Sequence, residues 1–312
     1  MIFNQINQMG NSQDYLILDA AEGIEYAFIQ TLLRKNIGFT ILTTDTCKSL
    51  HSFGSHSTIR ILEGRARDTE LIDKACEGKK FLLMSANSFH DMDNPVRHET
   101  LQAVIKICTG RNIRIIYSTT IFDAWLYSKS LMKLPIQEML LDATVNNGAR
   151  VTIVRFSSCW GPNMSDPVLE QIFRDAVKKR KLWYPVNPDI PCQFVYTEDA
   201  SEVIYRLTQL NNKDPWQVYN YGGTTYTTAK CFLNRISEMA GSPKQVGTIR
   251  KWQIRARSLV SDRMKELNNR VQYYRVCSPL DNSATNSLLA DFKPSPIDKA
   301  IEDTLAWYKN NF

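Results

Sequence analysis

Nothing in this sequence is long and apolar enough for a membrane span, which needs roughly 20 consecutive apolar residues, so no membrane partner is expected. The N-terminal stretch Met1 to Asp14 has no lysine or arginine and reads as a short tail rather than a secretory signal. Seven cysteines (Cys47, Cys76, Cys108, Cys159, Cys192, Cys231 and Cys277) are scattered singly, with no C-x-x-C and no Cys/His ligand spacing. That excludes a zinc signature, and no metal is expected. Dispersed cysteines in odd number suit reduced thiols in a cytoplasmic protein. Internal repeats and low-complexity segments are also missing. The net charge is +6, with basic residues gathered at 178–181 and 250–275. No nucleic-acid-binding module accompanies them, so they are read as solvated helix faces and no nucleic-acid partner is expected.

What is present is an ordinary globular composition: 312 residues, 43% hydrophobic and 22% charged. That is enough chain for one large or two small domains. Short apolar runs at Tyr15–Leu18, Gly38–Thr43, Thr58–Leu62, Phe81–Ser85 and Ile113–Ser118 alternate with helical patterns running to Leu33, at Leu71–Ala75 and at Leu101–Cys108. This alternation predicts βαβ units: an α/β, doubly wound parallel sheet with ligands at the carboxyl ends of its strands. Further on, helices are expected at Val168–Lys178, Glu198–Leu210, Ala229–Ala240, Lys251–Arg270 and Pro296–Lys309, and short strands at Gln193–Tyr196 and Gln217–Tyr221.

The stretch from Leu126 to Pro162 ties the two halves together. Leu126, Leu131, Leu134, Met139, Leu140, Ala143 and Val145 recur at helical spacing, and Asn147-Gly148 supplies a stop. A short β-branched strand, Val151–Phe156, then leads into Trp160-Gly161-Pro162. This stretch resembles the catalytic helix and following strand of the extended short-chain dehydrogenase/reductases, the NAD-dependent epimerase/dehydratase family. Their pattern is Y-x-x-x-K, a carboxylate, then V-T-x-x-R-x-x-N-x-Y-G-P. Lys133, Arg155 and Trp160-Gly161-Pro162 fall on its conserved positions, but Lys129 stands where the tyrosine belongs. The likeness continues through Phe194–Ala200 (F-x-x-V-x-D-x-A), Val218–Gly223 (Y-N-x-G-G) and Asp281–Ala284, so it spans residues 14 to 312. It implies a Rossmann dinucleotide-binding-type domain over 14–162 and a smaller, mainly substrate-binding domain over 163–312, with 190–221 partly returning to the first sheet. It also implies a homodimer.

A dinucleotide site needs glycines after the first strand, for a tight turn and for close approach of backbone to pyrophosphate. At the family's G-x-x-G-x-x-G positions this chain has Ala20, Gly23 and Tyr26. The Tyr26 ring is expected to need room between helix and strands. Asp19 and Glu22 flank the same turn. A helix N-terminus favours an anion by roughly 0.3–1 kcal/mol, whereas a carboxylate ~5 Å from a phosphate repels it by about 3 kcal/mol at an effective dielectric of ~20. Asp45, about 22 residues past Gly23, is the candidate for the ribose hydroxyls against the expected ~20; its bland reading is a turn residue. Arg65 replaces the family's adenine-side aspartate, and Arg65 or Arg67 is a candidate for a phosphate, including a 2′-phosphate, against the bland reading of a surface arginine. Ser85 ends the fourth strand as a further cofactor candidate. The resemblance implies NAD or NADP, and the altered glycines leave its retention open.

In the family a tyrosine exchanges the proton, a lysine lowers its pKa, and a Ser or Thr after the fifth strand hydrogen-bonds the substrate oxygen. Thr119 or Thr120 is expected to supply that hydroxyl and Lys133 the lysine. Lys129, one turn before Lys133, is the alternative active group, since like charge and burial would lower one amine's pKa; the bland reading is two solvated lysines. Tyr127, the nearest tyrosine, falls on another helix face. Substrate contacts are expected from His90, Arg155, Ser158, Trp160, Tyr184 and Phe194, against core packing for Trp160 and Phe194 and an ion pair for Arg155. The sequence is thus read as a divergent family member binding a nucleotide or nucleotide-sugar-type ligand between its domains, with tyrosine-dependent hydride chemistry impaired or replaced. The alternative is a non-catalytic sensor or scaffold.

Overall fold

Tyr15–Leu18 (β1) is buried at all four positions, as expected for a strand covered on both faces. Leu16 and Leu18 face one side of the sheet, Tyr15 and Ile17 the other. The structure, a computed structural model, describes residues 13–18, 23–44, 53, 56, 58–85, 88, 94–121, 136–164, 166–226, 228–243, 246–248 and 279–312. After β1 come α1 (Gly23–Arg34), β2 (Phe39–Thr43), β3 (Ile59–Glu63), α2 (Thr69–Ala75), β4 (Phe81–Ser85), α3 (Asn94–Gly110), β5 (Arg114–Thr120), α4 (Ile136–Asn147) and β6 (Arg150–Phe156). The second half supplies β7 (Ser158–Trp160), α5 (Pro167–Val177), β8 (Trp183–Tyr184), β9 (Cys192–Tyr196), α6 (Thr197–Gln209), β10 (Trp216–Tyr221), β11 (Thr224–Tyr226), α7 (Ala229–Ala240), β12 (Gly247–Thr248), α8 (Ser283–Leu288) and α9 (Ile297–Asn311).

Seven strands form one sheet in the order β10-β6-β5-β4-β1-β2-β3, and every pairing in it is parallel. This is the Rossmann-type doubly wound α/β sheet. The chain runs outward from β1 to β3, then returns to lay β4 beside β1, which makes the β1/β4 boundary the switch point. One face is covered by α2, α3 and α4 through Ile72, Leu101, Val104, Ile136, Leu140 and Ala143. The other is covered by α1 and α6 through Phe28, Ile29, Leu32, Val203, Ile204 and Leu207. A third apolar cluster gathers Trp160, α5, Tyr184, Phe194, α7 and α9.

Most element assignments agree with the periodicity. The helix expected from Leu126 is described from Ile136 and ends at Asn147, ahead of Gly148; its first part lies outside the described residues, as does the basic segment 251–270. Helix α3 starts at Asn94, earlier than the apolar pattern predicts, because its opening turns are polar. Pro95 falls in its first turn, where a missing N–H breaks no helical bond.

Strand β10 returns to the sheet edge through the 210–215 loop, and a buried arginine holds that loop. Arg114 (5% exposed) opens β5 and donates to the Asn212 and Asp214 carbonyls (3.3 and 2.9 Å), to the Val151 carbonyl (3.4 Å) and to Thr152 Oγ1 (3.3 Å). Gln217 Nε2 reaches the same two loop carbonyls, and its Oε1 accepts from Thr152. At the other end of β10, Asn282 clamps the Gly222-Gly223 turn: its Oδ1 accepts from Gly222 N at 2.6 Å and its Nδ2 donates to the Gly223 carbonyl at 3.4 Å. Gly223 has φ +70°, and a Cβ there would lie 2.5 Å from the Phe194 carbonyl oxygen, so only glycine fits.

Arg114→Met keeps the apolar stem but leaves buried carbonyls without a donor. It is expected to lower unfolding stability by about 2–4 kcal/mol, read as a shifted urea midpoint at unchanged slope.

Candidate functional site

The carboxyl ends of β1, β4, β5 and β6 bring Leu18, Ser85, Thr120 and Phe156 to one rim of the sheet. Helix α1 begins above this rim. Gly23 takes φ +72° there, a conformation glycine adopts without strain. Its N–H, one of the free donors of the helix start, donates to the Asn163 carbonyl at 2.8 Å. The loop after β7 therefore satisfies a group that a Rossmann fold offers to phosphate.

Glu25 is the other main feature. It lies in the first turn of α1, is 4% exposed, and accepts a 3.0 Å hydrogen bond from Ser118 Oγ of β5. Its position follows from helix geometry. Ile24, Glu25, Phe28, Ile29 and Leu32 share the face turned to the sheet, while Tyr26 and Gln30 fall on the flank. The expectation that Tyr26 wedges between helix and strands is therefore corrected. Its ring packs on Phe53 (centroids 5.3 Å apart). Glu25, not Tyr26, fills the space between α1 and the sheet.

Ser88 closes the switch point. Its Oγ donates to the Leu18 carbonyl and accepts from Ser85 N, both at 3.0 Å, so the ends of β1 and β4 are stitched together. Ser85 is half-buried at the end of its strand. On β5, Thr119 is buried, with Oγ1 3.4 Å from the Thr120 carbonyl, and Thr120 is half-buried at the rim. Arg155 of β6 sits opposite Thr119 and Asn220 in register. Its guanidinium donates to Gln137 Oε1 of α4 at 2.8 Å, so its partner is a neutral amide rather than the expected carboxylate.

The remaining candidates do not gather here. Arg65 is exposed in the turn between β3 and α2, beside the outermost strand. Trp160, Tyr184 and Phe194 are 1–2% exposed inside the third apolar cluster. Trp160 stacks on Phe173 at 5.6 Å and Phe194 lies 4.7 Å from Phe232. All three pack in that core, the alternative the sequence offered for Trp160 and Phe194. Ser158 is buried in β7. Ala20, Asp45, His90, Lys129 and Lys133 lie outside the described residues, as do Asp19, Glu22 and Tyr127. Sequence reasoning missed Glu25 and Ser88. Glu25 carried a signal, being an acidic residue inside the apolar stripe of α1; Ser88 carried none. Among the described residues no group of His, Cys, Asp or Glu is placed to hold a metal, and no helix is long and apolar enough to cross a membrane.

In the Phe194–Ala200 stretch, Asp199 is buried at the start of α6 and ties it to the segment before α9. It accepts from Ser295 N (3.0 Å) and Ser295 Oγ (2.7 Å). Burial pushes its carboxyl above the usual range, and the Ser295 bonds oppose the shift.

Comparison with known proteins places this geometry. No protein-family model matches the sequence, and neither does any curated protein. Solved structures do match. A UDP-glucose 4-epimerase from Thermotoga maritima superposes with TM-score 0.67 at 13% identity, covering 95% of this chain and 99% of that one. A UDP-glucuronic acid 4-epimerase from Bacillus cereus, solved with UDP-glucuronic acid and NAD, gives 0.71 at 12%, covering 96% and 99%. An epimerase from Methanothermobacter thermautotrophicus gives 0.72 at 14%, covering 96% and 93%. The chain therefore shares the fold of these structures over nearly its whole length. Two of these three are named as epimerases of UDP-sugars and the third as an epimerase.

Asp199 binds its proton more tightly folded than unfolded. Its contribution to stability is therefore full below the ordinary aspartate range and is lost as pH rises through the elevated folded value. Asp199→Asn keeps an acceptor for Ser295 and removes the buried charge. Relative to wild type, its urea midpoint is expected to rise as pH goes from about 4 to 7; a constant difference across that range would refute this.

Proposed function

We propose that this protein is a nucleotide-sugar-type ligand-binding member of the epimerase/dehydratase fold that does not carry out tyrosine-dependent hydride chemistry on a bound dinucleotide. The carrying observation is that the first turn of α1 is already engaged from within the chain: the buried Glu25 carboxyl accepts from Ser118 Oγ and the Gly23 N–H donates to the Asn163 carbonyl. The described residues do not fit NAD or NADP in the conventional pose. The Gly23 N–H already has a carbonyl partner, and Ser88 bonds across the switch point. Lys129 in place of the family tyrosine supports the same reading.

The nucleotide-sugar part rests on the fold likeness, which extends through α5, α7 and α9 to the C-terminal cluster. The homodimer implied by resemblance is supported by exposed Leu141 (43%) and Val145 (72%) on α4.

Calorimetric titration tests the reading. UDP or UDP-glucose is expected to bind with a dissociation constant below ~100 μM, more than about 5 kcal/mol, while NAD, NADP and their reduced forms do not. Dinucleotide binding by the wild-type protein in that range would overturn the proposal, and binding of nothing would favour the scaffold alternative. In a paired measurement, Glu25→Gly is expected to strengthen NAD binding at least tenfold, whereas Tyr26→Gly leaves it unchanged.

A further inference from the structure

Helix α5 runs out into a loop that carries four cations in a row. Lys178, Lys179, Arg180 and Lys181 follow Val177, the last residue of the helix, so the expectation that they form a solvated helix face is corrected. The loop is fixed by its own backbone. The Lys179 N–H donates to the Ala176 carbonyl at 2.9 Å and the Arg180 N–H to the Asp175 carbonyl at 2.8 Å. Lys179 closes the turn at φ +53°, a left-handed position that glycine takes without strain. Lys178, Lys179 and Arg180 are exposed. Among the described residues no carboxylate pairs with Lys178, Lys179 or Lys181, and Arg180 reaches Asp175 at 4.0 Å. Four neighbouring charges therefore share one distant counter-charge.

Strand β8 follows, with Tyr184 turned into the core and Trp183 turned out, 45% exposed. The indole is braced by β12, the parallel partner of β8: a Cβ on Gly247 would lie 2.5 Å from Trp183 Cε3, so the bare backbone there makes room for the ring. Lys181 Nζ lies over the same ring, 5.1 Å from its centroid. That place is held by a flexible side chain, which a flat ring can displace. None of these residues belongs to the site described above.

We propose that the loop Lys178–Lys181 and Trp183 form a binding surface for single-stranded nucleic acid, with a base stacked on the indole and adjacent phosphates on Lys178, Lys179 and Arg180. A single strand offers both partners at once, since every base has a π-face and every nucleotide carries a negative charge. The arriving base displaces Lys181, whose ammonium then meets the next phosphate. An acidic peptide would use the cations and leave the indole idle. An anionic membrane would use both, but a tryptophan that enters the headgroup layer has to project from the protein, whereas this ring is held against β12. The contacts are to phosphates and to a ring face, so no base preference is expected.

The test is fluorescence anisotropy of labelled oligouridylate and oligothymidylate, about 12 nucleotides long, titrated with the full-length protein over a range of salt. Binding is expected with a Kd of about 10 μM or tighter at about 50 mM salt; tighter binding of oligouridylate would assign RNA, and equal binding either nucleic acid. Trp183→Leu keeps an apolar group against Gly247 and is expected to weaken binding about tenfold at unchanged salt slope. Lys178→Gln with Lys179→Asn, asparagine being at ease in the left-handed position, is expected to reduce the slope by about 1.4. Intrinsic tryptophan emission should be quenched on binding in the wild-type protein and not in Trp183→Leu, which reads stacking separately from stability. Absence of binding by the wild-type protein would overturn the proposal, as would binding that neither variant alters. Competition by polyglutamate as strong as by the oligonucleotide would replace it with an acidic-protein surface. Retention on phosphatidylserine vesicles without oligonucleotide binding would replace it with a membrane surface.

Discussion

Everything about this molecule follows from seven strands running the same way. A parallel sheet forces each new strand to be entered from the same end, so each connection must cross a face and bury it. That is why α1 and α6 cover one side, why α2, α3 and α4 cover the other, and why all the strand ends that carry chemistry lie on a single rim. The costly part is the last crossover, which must bring β10 back beside β6 after the chain has built β7 to β9 elsewhere. Arg114, Thr152 and Gln217 meet that need with polar groups in the core, each matched to a loop carbonyl or to one another.

On the rim, the start of α1 sets the electrostatics. Unpaired N–H groups and the helix dipole call for negative charge. In a nucleotide enzyme the ligand provides it. Here the Gly23 N–H meets the Asn163 carbonyl, and Glu25, in the first turn of the helix, is held by Ser118 of β5. The second half of the chain takes part directly, since Asn163 belongs to the loop that leads into α5.

The fold was legible because parallel strands are short continuous apolar runs and their helices keep a regular stripe. Tyr15–Leu18, Phe81–Ser85 and Ala229–Ala240 were read at their observed limits. The site was less legible because its key contacts join residues distant in sequence. Ser118 and Glu25 are 93 positions apart and Ser88 and Leu18 are 70 apart, so no local pattern announces either pair. Tyr26 misled because glycine-motif counting fixes a position without fixing which way the helix turns it; one residue is about 100° of rotation. Trp160 and Phe194 fall in the motif stretches, yet large aromatics, Tyr184 among them, also build the C-terminal cluster.

The contact between Asn282 and the Gly222-Gly223 turn has a consequence for the order of synthesis. The turn and the side chain that fixes it are separated by 60 positions, and Asp199 waits 96 for Ser295. On a ribosome the seven strands would all have emerged before either clasp could close. The nascent sheet therefore spends that interval with its last edge and α6 unfastened, exposed to neighbouring chains and to chaperones. Completion of the rim is a late event, set by contacts of long sequence separation rather than by helix formation.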